Sequence, residues 1–300
     1  MTVLGRRLLP DMLFVPGIDE AKVAKIWELD ASAFVLDLED AVAAERKAEA
    51  RDVVVRELDR AARADAPPRY VRINGLTTPH ALADLLAVVR PGLAGVLIPK
   101  VVGARDVQIV DWVVGQLERE RGLPAGAVEL LALLETAEGL ANARAVAGSS
   151  SRLRCLCFGA GDLAADLGVA LQPDAGSGEL TAFVTALKAG LVIASREAGL
   201  EPPHDGVHLR FRDLDALRRT TESARSIGFF GRHAIHPEQI PVIREVFRPS
   251  PDEVRWARAV VDGFQAHEAV GNAAFAIDGE FVDYAVAARA QRLLRLDGTP

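Results

Sequence analysis

Short apolar segments alternate with amphipathic helical segments along most of the chain. Eight of the apolar segments have the length and the flanking turn residues of β-strands. They cover residues 13–15, 33–38, 69–73, 95–99, 130–135, 155–162, 207–209 and 233–235. Helical patterns lie between them, at residues 19–29, 44–62, from 78 onward, 104–121, 140–147 and 180–198. This alternation over 300 residues predicts an α/β fold with a closed (β/α)₈ TIM barrel, and an open doubly wound sheet is the alternative.

A proline-rich junction separates the predicted barrel from a C-terminal extension. The junction is Arg248-Pro249-Ser250-Pro251, and helical patterns follow it at residues 252–267 and 284–296. These patterns lie outside the count of eight strands. We therefore predict a catalytic barrel over residues 1–248 and a helical extension or lid over residues 249–300, packed on a neighbouring subunit.

Polar and charged side chains follow several predicted strands at the point where each strand ends. They are Asp37, Glu39, Asp40, Arg72, Asn74, Lys100, Glu135, Asp162 and His236. Barrel enzymes take their catalytic residues from the carboxyl ends of several strands. The distribution therefore favours an enzyme with its site at that face.

Glu135 and Asp162 end two successive predicted strands, so their carboxylates should emerge side by side. Two hard oxygen ligands, with room left for water and substrate, are the usual protein contribution to a Mg²⁺ site. Each acid also stands where a helix begins, so stabilising a helix N-terminus is the alternative role. The spacing by itself leaves both roles open.

The remaining charged groups at these strand ends need partners. Arg72 lies in an apolar strand, where its guanidinium requires an anion: a substrate carboxylate or oxyanion, or else Glu39 or Asp40. Together with Asp37 these acids exceed what one Mg²⁺ needs. We expect them, and Lys100, to surround the site and orient waters or basic partners.

Composition excludes several classes of protein. The formal net charge is −7 and no block of Lys and Arg occurs, which argues against a nucleic-acid partner. No apolar run approaches the roughly 20 residues of a membrane span. The N-terminus has no apolar stretch of signal-peptide length, so we expect a cytoplasmic location.

Three further patterns have unremarkable interpretations. Cys155 and Cys157 point to one face of a predicted strand and should be small buried core residues rather than redox or metal groups. A zinc helix at His204 and His208 is disfavoured because turn and strand residues lie between them. The Gly159-Ala160-Gly161 sequence lacks the third glycine of a dinucleotide loop.

Seven ordered motifs resemble a known family over nearly the whole chain. They are LFVPG at 13–17, LDLEDAV at 36–42, VRIN at 71–74, IPKV at 98–101, LET at 134–136, FGAGDLAADLG at 158–168 and AIHP at 234–237. Together they resemble the citrate lyase β-subunit-like branch of the HpcH/HpaI aldolases. This branch includes malyl-CoA, citramalyl-CoA and citryl-CoA lyases.

The resemblance implies a Mg²⁺-dependent barrel that cleaves a 3-hydroxyacyl-CoA to a 2-oxo acid and an acyl-CoA. By that resemblance Glu135 and Asp162 hold Mg²⁺, and Arg72 binds the oxygen that becomes charged. The substrate-binding residues would be Arg72, Gly161 and Asp162, although Gly161 replaces an acid common in relatives. Asp283 matches the C-terminal acid/base contributed by a neighbouring subunit of a homo-oligomer, either a trimer or a hexamer.

A basic helix face is a further candidate for substrate contact. Arg46, Lys47 and Arg51 either meet phosphates or form a solvated face beside Glu45 and Glu49. With a CoA substrate implied, Lys47 and Arg51 become candidates for its phosphates.

Three functional hypotheses follow from this reading. The first is a stand-alone carbon–carbon lyase or condensing enzyme, with thioester hydrolysis after condensation as a variation. The second is a citrate lyase β subunit that acts on an acyl-carrier-protein partner in a complex. The third is a barrel without chemistry that serves as a scaffold.

Overall fold

A computed structural model describes residues 2–3, 6–62, 66–169, 182–277 and 279–297. Contacts divide the chain into two compact units. One runs from Leu9 to Arg244, and the other joins residues 1–8 to residues 245–300. The division therefore falls between Arg244 and Glu245, whereas the predicted boundary lay between Arg248 and Pro249.

The larger unit is built on a parallel sheet, which confirms the predicted α/β class. Its seven strands in the described residues are β1 (Asp11–Pro16), β2 (Ala33–Asp37), β3 (Arg69–Arg72), β4 (Leu93–Ile98), β5 (Glu129–Leu134), β6 (Leu153–Phe158) and β7 (Arg232–Ala234). The spatial order is β6-β5-β4-β3-β2-β1-β7, so that chain neighbours pair in parallel. All residues of β2 and β6 are buried, as expected for strands covered on both faces.

The two edges of this sheet, β6 and β7, both contact the segment His204–Asp205. Single parallel bridges join Cys157 to His204 and Asp205 to Arg232. The prediction of a strand at residues 207–209 was wrong, because the pairing lies just upstream. Gly206 follows it, and a Cβ there would lie 2.6 Å from Phe158 O, so the chain passes too close to β6 for a side chain.

Helices follow most strands. They are α1 (Glu20–Lys25), α2 (Lys47–Ala61), α3 (Ala81–Val88), α4 (Ala104–Glu120), α5 (Ala137–Ala141), α6 (Ala143–Ala147), α7 (Ala160–Leu167), α8 (Ala182–Glu197), α9 (Leu214–Ser226) and α10 (Gln239–Phe247). The single helix predicted at residues 140–147 is thus two short helices. Along the described residues, no helix has both the length and the apolar character needed to cross a membrane.

The predicted sixth strand was too long at its C-terminal end. The strand β6 stops at Phe158, and the residues from Ala160 onward form α7. Gly159 breaks the strand, and the alanines after it favour a helix. Asp162 therefore lies in the first turn of α7 rather than at a strand end.

Buried ion pairs lie toward the amino ends of the strands, away from the predicted site. Arg154 Nη1 donates to Tyr70 Oη and to Glu129 Oε2, each at 2.9 Å, and Arg154 Nε donates to Glu201 Oε2 at 2.9 Å. Removing one partner of such a pair would lower the stability of the fold, because it leaves a buried charge uncompensated. This end of the sheet thus has a structural role, and the opposite end is free to carry chemistry.

The smaller unit consists of helices and two short antiparallel strand pairs, one of which joins Thr2–Val3 to Arg6–Arg7. Its main elements are α11 (Pro251–Ala269), β8 (Phe275–Ile277), β9 (Glu280–Val282) and α12 (Tyr284–Asp297). Ser250 and Glu253 form a capping box at the start of α11. The two helices share an apolar core, to which Val260, Phe264 and Leu294 contribute. The hairpin between the two helices was not predicted from the sequence.

Candidate active site

A cavity of about 740 Å³ opens at the carboxyl ends of the strands in the larger unit. Both charged and apolar side chains line it. The charged lining residues include Asp37, Asp40, Arg72, Glu135 and Asp162. The apolar lining residues include Leu13, Phe14, Val15, Ile26, Leu29 and Ile235. This combination of a charged centre and an apolar wall is typical of a small-molecule site.

Glu135 directly follows β5 and is buried at the floor of the cavity, with 4% of its surface exposed. Its Oε1 accepts a hydrogen bond from the backbone N–H of Lys100 at 2.9 Å. Thr136, and not Glu135, caps α5, because the Thr136 hydroxyl accepts from Gly139 N at 3.0 Å. The carboxylate is therefore directed into the cavity and away from the helix N-terminus.

Lys100 adopts a backbone conformation that is unusual for a residue with a side chain. Its φ is +51°, in the left-handed region. Such a conformation costs about 1–3 kcal/mol and persists only where the surroundings impose it. Here the Lys100 amide binds Glu135, while its ammonium donates to Glu39 Oε1 at 2.7 Å and lies 3.3 Å from Asp162 Oδ2. One residue thus draws three carboxylates to the same place.

Asp162 is more accessible than Glu135. Its side chain is 42% exposed and faces the cavity from the first turn of α7. The N-cap position of α7 is Gly159, which has no side chain to cap with. The structure therefore brings Glu135 and Asp162 to one cavity, as predicted from their spacing.

Burial is the main cause of a raised pKa at Glu135. Desolvation, together with the negative charges of Asp162 and Glu39, raises the pKa of Glu135 from 4.5 to about 8. The Lys100 amide and the Arg72 charge oppose this rise without cancelling it. A carboxylate in this position is stabilised by a bound cation, so the donor set fits a hard divalent ion such as Mg²⁺.

Mg²⁺ affinity should consequently depend on pH. Since the ion binds the carboxylate form, apparent affinity should rise up to tenfold per pH unit below about pH 8 and level off above it. Without the ion, stability should fall as pH rises from about 4.5 to 8, because the folded chain retains a proton that the unfolded chain has lost. Calorimetric titration in buffers of different ionisation enthalpy measures the proton released. A pH-independent affinity over this range would contradict the assignment.

Gly159 provides the space that Glu135 occupies. A Cβ at this position would lie 2.5 Å from Glu135 Cβ and 2.6 Å from Glu135 Oε2. At Gly161, two residues along, a Cβ would have no neighbour within 4 Å. The sequence motif therefore contains one glycine required by packing and one that is not.

Gly159→Ala should displace the Glu135 carboxylate and weaken Mg²⁺ binding by about 10–100-fold, the range observed when metal-ligand support is lost. Gly161→Ala is the matched control: it should leave the Mg²⁺ affinity unchanged and should not lower the free energy of unfolding, because it places a better helix former in α7 where a Cβ has room. Isothermal titration and chemical denaturation measure both quantities. Equal Mg²⁺ affinities in the two variants would show that the space at Gly159 is not needed to position Glu135.

Arg72, at the end of β3, is held by acids of this same chain. Its Nε and Nη2 donate to the two carboxylate oxygens of Asp37 at 2.7 Å each. Its Nη1 lies 2.9 Å from Glu39 Oε2 and 3.3 Å from Asp40 Oδ2. Despite burial, the Asp37 hydrogen bonds and the surrounding charges raise the pKa of Arg72, so it remains a cation. The bidentate pair fixes its orientation.

The charges around the cavity floor do not balance. Five carboxylates, Asp37, Glu39, Asp40, Glu135 and Asp162, face three cations, Arg72, Lys100 and Lys47. Burial, with a contribution from Asp40, also raises the pKa of Glu39. This excess of negative charge favours an additional cation near Glu135 and Asp162.

The two candidates for CoA phosphates are occupied by protein groups. Lys47 is buried, and its Nζ donates to Leu38 O and Glu39 O at 2.7 Å each. Arg51 Nη1 donates to Asp84 Oδ1 at 2.9 Å. These bonds use two of the three N–H donors of Lys47 and one of the five of Arg51. Lys22 and Lys25 of α1 line the cavity instead, and they were not singled out from the sequence.

The C-terminal candidate Asp283 lies in the smaller unit. Its Oδ1 accepts hydrogen bonds from Ala285 N at 2.9 Å and Val286 N at 3.0 Å, so it caps α12. A chemical role for Asp283 would be additional to this cap. His236, also predicted at a strand end, lines the cavity of the larger unit and stacks on Phe211 with ring centroids 5.0 Å apart.

Comparison with known proteins identifies the family. The sequence model of the HpcH/HpaI aldolase/citrate lyase family matches residues 11–237. The chain belongs to this family. It is 35% identical over 277 residues to a (3S)-malyl-CoA thioesterase of Cereibacter sphaeroides, covering 91% of this chain and 88% of the relative. It is 31% identical over 295 residues to the mitochondrial citramalyl-CoA lyase of Rattus norvegicus, covering 95% and 85%.

A solved structure of the same family matches along almost the full length. It is the CitE protein of Mycobacterium tuberculosis, in complex with magnesium, acetoacetate and coenzyme A. The TM-score is 0.78 at 29% sequence identity, covering 97% of this chain and 98% of that one. Relatives in the HpcH/HpaI family are thus CoA lyases and thioesterases, and the predicted family resemblance is confirmed.

Some residues of this HpcH/HpaI site were not identified from the sequence. The packing role of Gly159 was missed, as was the cavity-lining position of His233. The signal for Gly159 was its place between a buried strand and a helix that starts with Ala160. His233 lies inside a short strand, whereas His236 follows that strand, so only His236 has the strand-end position by which candidate residues are recognised in the sequence.

Proposed function

We infer that the chain is a Mg²⁺-dependent carbon–carbon lyase. It cleaves a 3-hydroxyacyl-CoA such as malyl-, citramalyl- or citryl-CoA, in a reversible Claisen or aldol reaction, to a 2-oxo acid and an acyl-CoA. The observation that carries this proposal is the cavity in which Glu135, Asp162 and Arg72 meet beside an apolar wall. The citramalyl-CoA lyases among the relatives and the structure of a relative with magnesium, acetoacetate and coenzyme A support it.

Glu135 and Asp162 are the residues that would hold Mg²⁺. The buried, proton-retaining carboxyl of Glu135 and the uncompensated negative charge around it fit this ion. When bound, Mg²⁺ supplies Lewis-acid stabilisation of negative oxygen and a template for the 2-oxo acid. Lys100 holds Glu135 through its amide and neutralises part of the charge on Glu39 and Asp162.

Arg72 would stabilise the oxygen on which negative charge develops. Asp37 fixes the guanidinium through Nε and Nη2, which leaves Nη1 directed toward Glu39 and Asp40 at the cavity. We assign substrate contact to Nη1. A preoriented donor of this kind needs no reorganisation during the reaction. Gly161 and Asp162 would border the same substrate.

Removing a proton from the 3-hydroxyl requires a base, and we assign this role to Asp283 of a neighbouring subunit. The assignment rests on the family motif at residues 279–283. It entails a homo-oligomer, and a homotrimer or hexamer is our prediction. Three further points remain predictions. They are a cytoplasmic location, closure of the sheet into a full (β/α)₈ barrel through His204–Asp205, and phosphate contacts by Lys47 and Arg51.

Three other functions can be distinguished from the lyase. Thioester hydrolysis is the second candidate, because a relative at 35% identity is a (3S)-malyl-CoA thioesterase. A citrate lyase β subunit would need its acyl group on a carrier protein. A scaffold without chemistry conflicts with the charged, Arg72-containing cavity.

One assay separates these functions. The purified chain is incubated with each 3-hydroxyacyl-CoA and Mg²⁺, and both 2-oxo acid and free CoA thiol are measured. A lyase releases the 2-oxo acid without free thiol, and EDTA abolishes the activity. A thioesterase releases free thiol without 2-oxo acid. Activity only with an acyl-carrier substrate supports the β subunit, and no activity with either carrier would contradict the proposal.

A further inference from the structure

The inner face of the sheet carries a group of soft metal ligands below the substrate cavity. Cys155 and Cys157 lie two residues apart in β6, so both side chains point to the same, inner face of the sheet. There they pack with Leu131 and Leu133. Both thiols are fully buried and neither forms a disulfide. Their burial agrees with the expectation from sequence. The position of His204 beside them was not predicted from the sequence.

His204 places its imidazole next to the two thiols. One ligand atom from each of Cys155, Cys157 and His204 lies within 4.8 Å of the other two. A second imidazole, that of His233, lies beside the first, and the ring centroids of His233 and His204 are 5.8 Å apart. His204 Nδ1 and His233 Nε2 are both buried without a hydrogen-bond partner. Such unsatisfied groups are costly and call for an explanation.

The distances suit a tetrahedral metal. With bonds of about 2.3 Å to sulfur, two thiolates on one Zn²⁺ lie about 3.8 Å apart. The ligand atoms of Cys155, Cys157 and His204 therefore need to approach one another by about 1 Å to close around an ion, and His233, which lies outside this group, has further to move. Thiolate and imidazole are the ligands that select zinc-like ions over Mg²⁺.

We propose that Cys155, Cys157 and His204 form a buried site for a thiophilic divalent cation of the Zn²⁺ type, with His233 as the fourth ligand. The site is separate from the Glu135 and Asp162 carboxylates. The proposal also stands independently of the lyase function.

The charges of the ligands agree with this arrangement. Two thiolates neutralise a divalent ion, so the complex carries no net charge into the interior. A neutral imidazole adds a nitrogen ligand without adding charge.

The position of the site indicates what the ion does. Cys155 and Cys157 belong to β6, while His204 and His233 belong to the joining segment and to β7. An ion bound by all four would tie both edges of the sheet together. His233 also lines the substrate cavity, which puts the ion one imidazole away from the cavity floor.

Cobalt provides a direct test, because thiolate ligation of Co²⁺ gives a charge-transfer absorption that carboxylate ligation does not. The reduced full-length chain is refolded with Co²⁺ in excess Mg²⁺, since the buried cluster is best loaded during folding. We expect one Co²⁺ per chain with thiolate-to-cobalt absorption. These two residues are the only cysteines of the chain, so the band reports this cluster alone.

Cys155→Ala and Cys157→Ala should each weaken or abolish the band, and His204→Gln should weaken binding by tenfold or more. Glu135→Gln is the control: it should keep the cobalt band while losing Mg²⁺ binding, which separates this proposal from the lyase assignment. Zn²⁺ should also raise the thermal midpoint of the unmodified chain and not that of Cys157→Ala.

Two outcomes overturn the proposal. One is a refolded, native-like chain that shows no thiolate-to-cobalt absorption. The other is a thermal midpoint that is the same for the unmodified chain refolded with Zn²⁺ and without it. The second measurement needs no variant, so a cysteine substitution that fails to fold does not remove the test.

Discussion

Replacing Glu135 with Gln should abolish detectable Mg²⁺ binding and lower kcat by at least about 10³-fold, which corresponds to about 4 kcal/mol in the barrier. Gln keeps the size of the side chain and can still accept the hydrogen bond from Lys100 N. It removes the negative charge that the ion requires. The fold should survive, because the substitution relieves a buried carboxylate whose ionised form is disfavoured.

Glu138→Gln is the matched control for this change. Glu138 lies three residues away on the exposed first turn of α5 and undergoes the same loss of charge. Its Mg²⁺ affinity and kcat should equal those of the unmodified chain. Steady-state kinetics and titration calorimetry on both variants measure the effect. If Glu135→Gln bound Mg²⁺ as tightly as Glu138→Gln, Glu135 would not be a ligand.

Arg72→Met should lower kcat by about 10²–10³-fold, the range observed when one preoriented oxyanion donor is lost. It should also destabilise the fold by about 3–5 kcal/mol, because the buried Asp37 carboxylate loses its bidentate partner. The substitution therefore has a catalytic and a structural consequence, and activity alone does not separate them.

A double variant separates the two consequences. Asp37→Asn combined with Arg72→Met removes the unpaired buried charge and should recover part of the lost stability. It should recover none of the lost kcat. Arg46→Met, at an exposed pair with Glu49, is the control for loss of an arginine and should change neither quantity. Recovery of kcat in the double variant would show that Arg72 acts only through packing.

The sequence predicted most of the sheet because its strands have distinctive local signals. Runs such as Leu130 to Leu134 are apolar, short and followed by helix-starting residues, which is typical of strands buried on both faces. The same regularity predicted that Glu135 and Asp162 would share one face. Spacing did not distinguish a metal site from a helix N-terminus. The structure shows that Thr136, and not Glu135, caps α5, and the metal role of the two acids stays a proposal.

Other features depend on contacts that are distant in sequence. The pairing at His204–Asp205 has only one bridge on each side, so it leaves no run of strand-forming residues to recognise. The position of Lys100 was predicted, but its positive φ is imposed by Glu135, 35 residues away. Asp283 was proposed as an acid/base, and its capping of α12 becomes evident only once that helix is formed.

The most direct test of the site is an anomalous-scattering map of crystals grown with Mn²⁺, a close substitute for Mg²⁺, and a 2-oxo acid. We expect one strong peak in contact with the Glu135 and Asp162 carboxylates, with the 2-oxo acid beside it and within reach of Arg72 Nη1. A peak held only by Asp37, Glu39 and Asp40, with Lys100 still bound to Asp162, would contradict it.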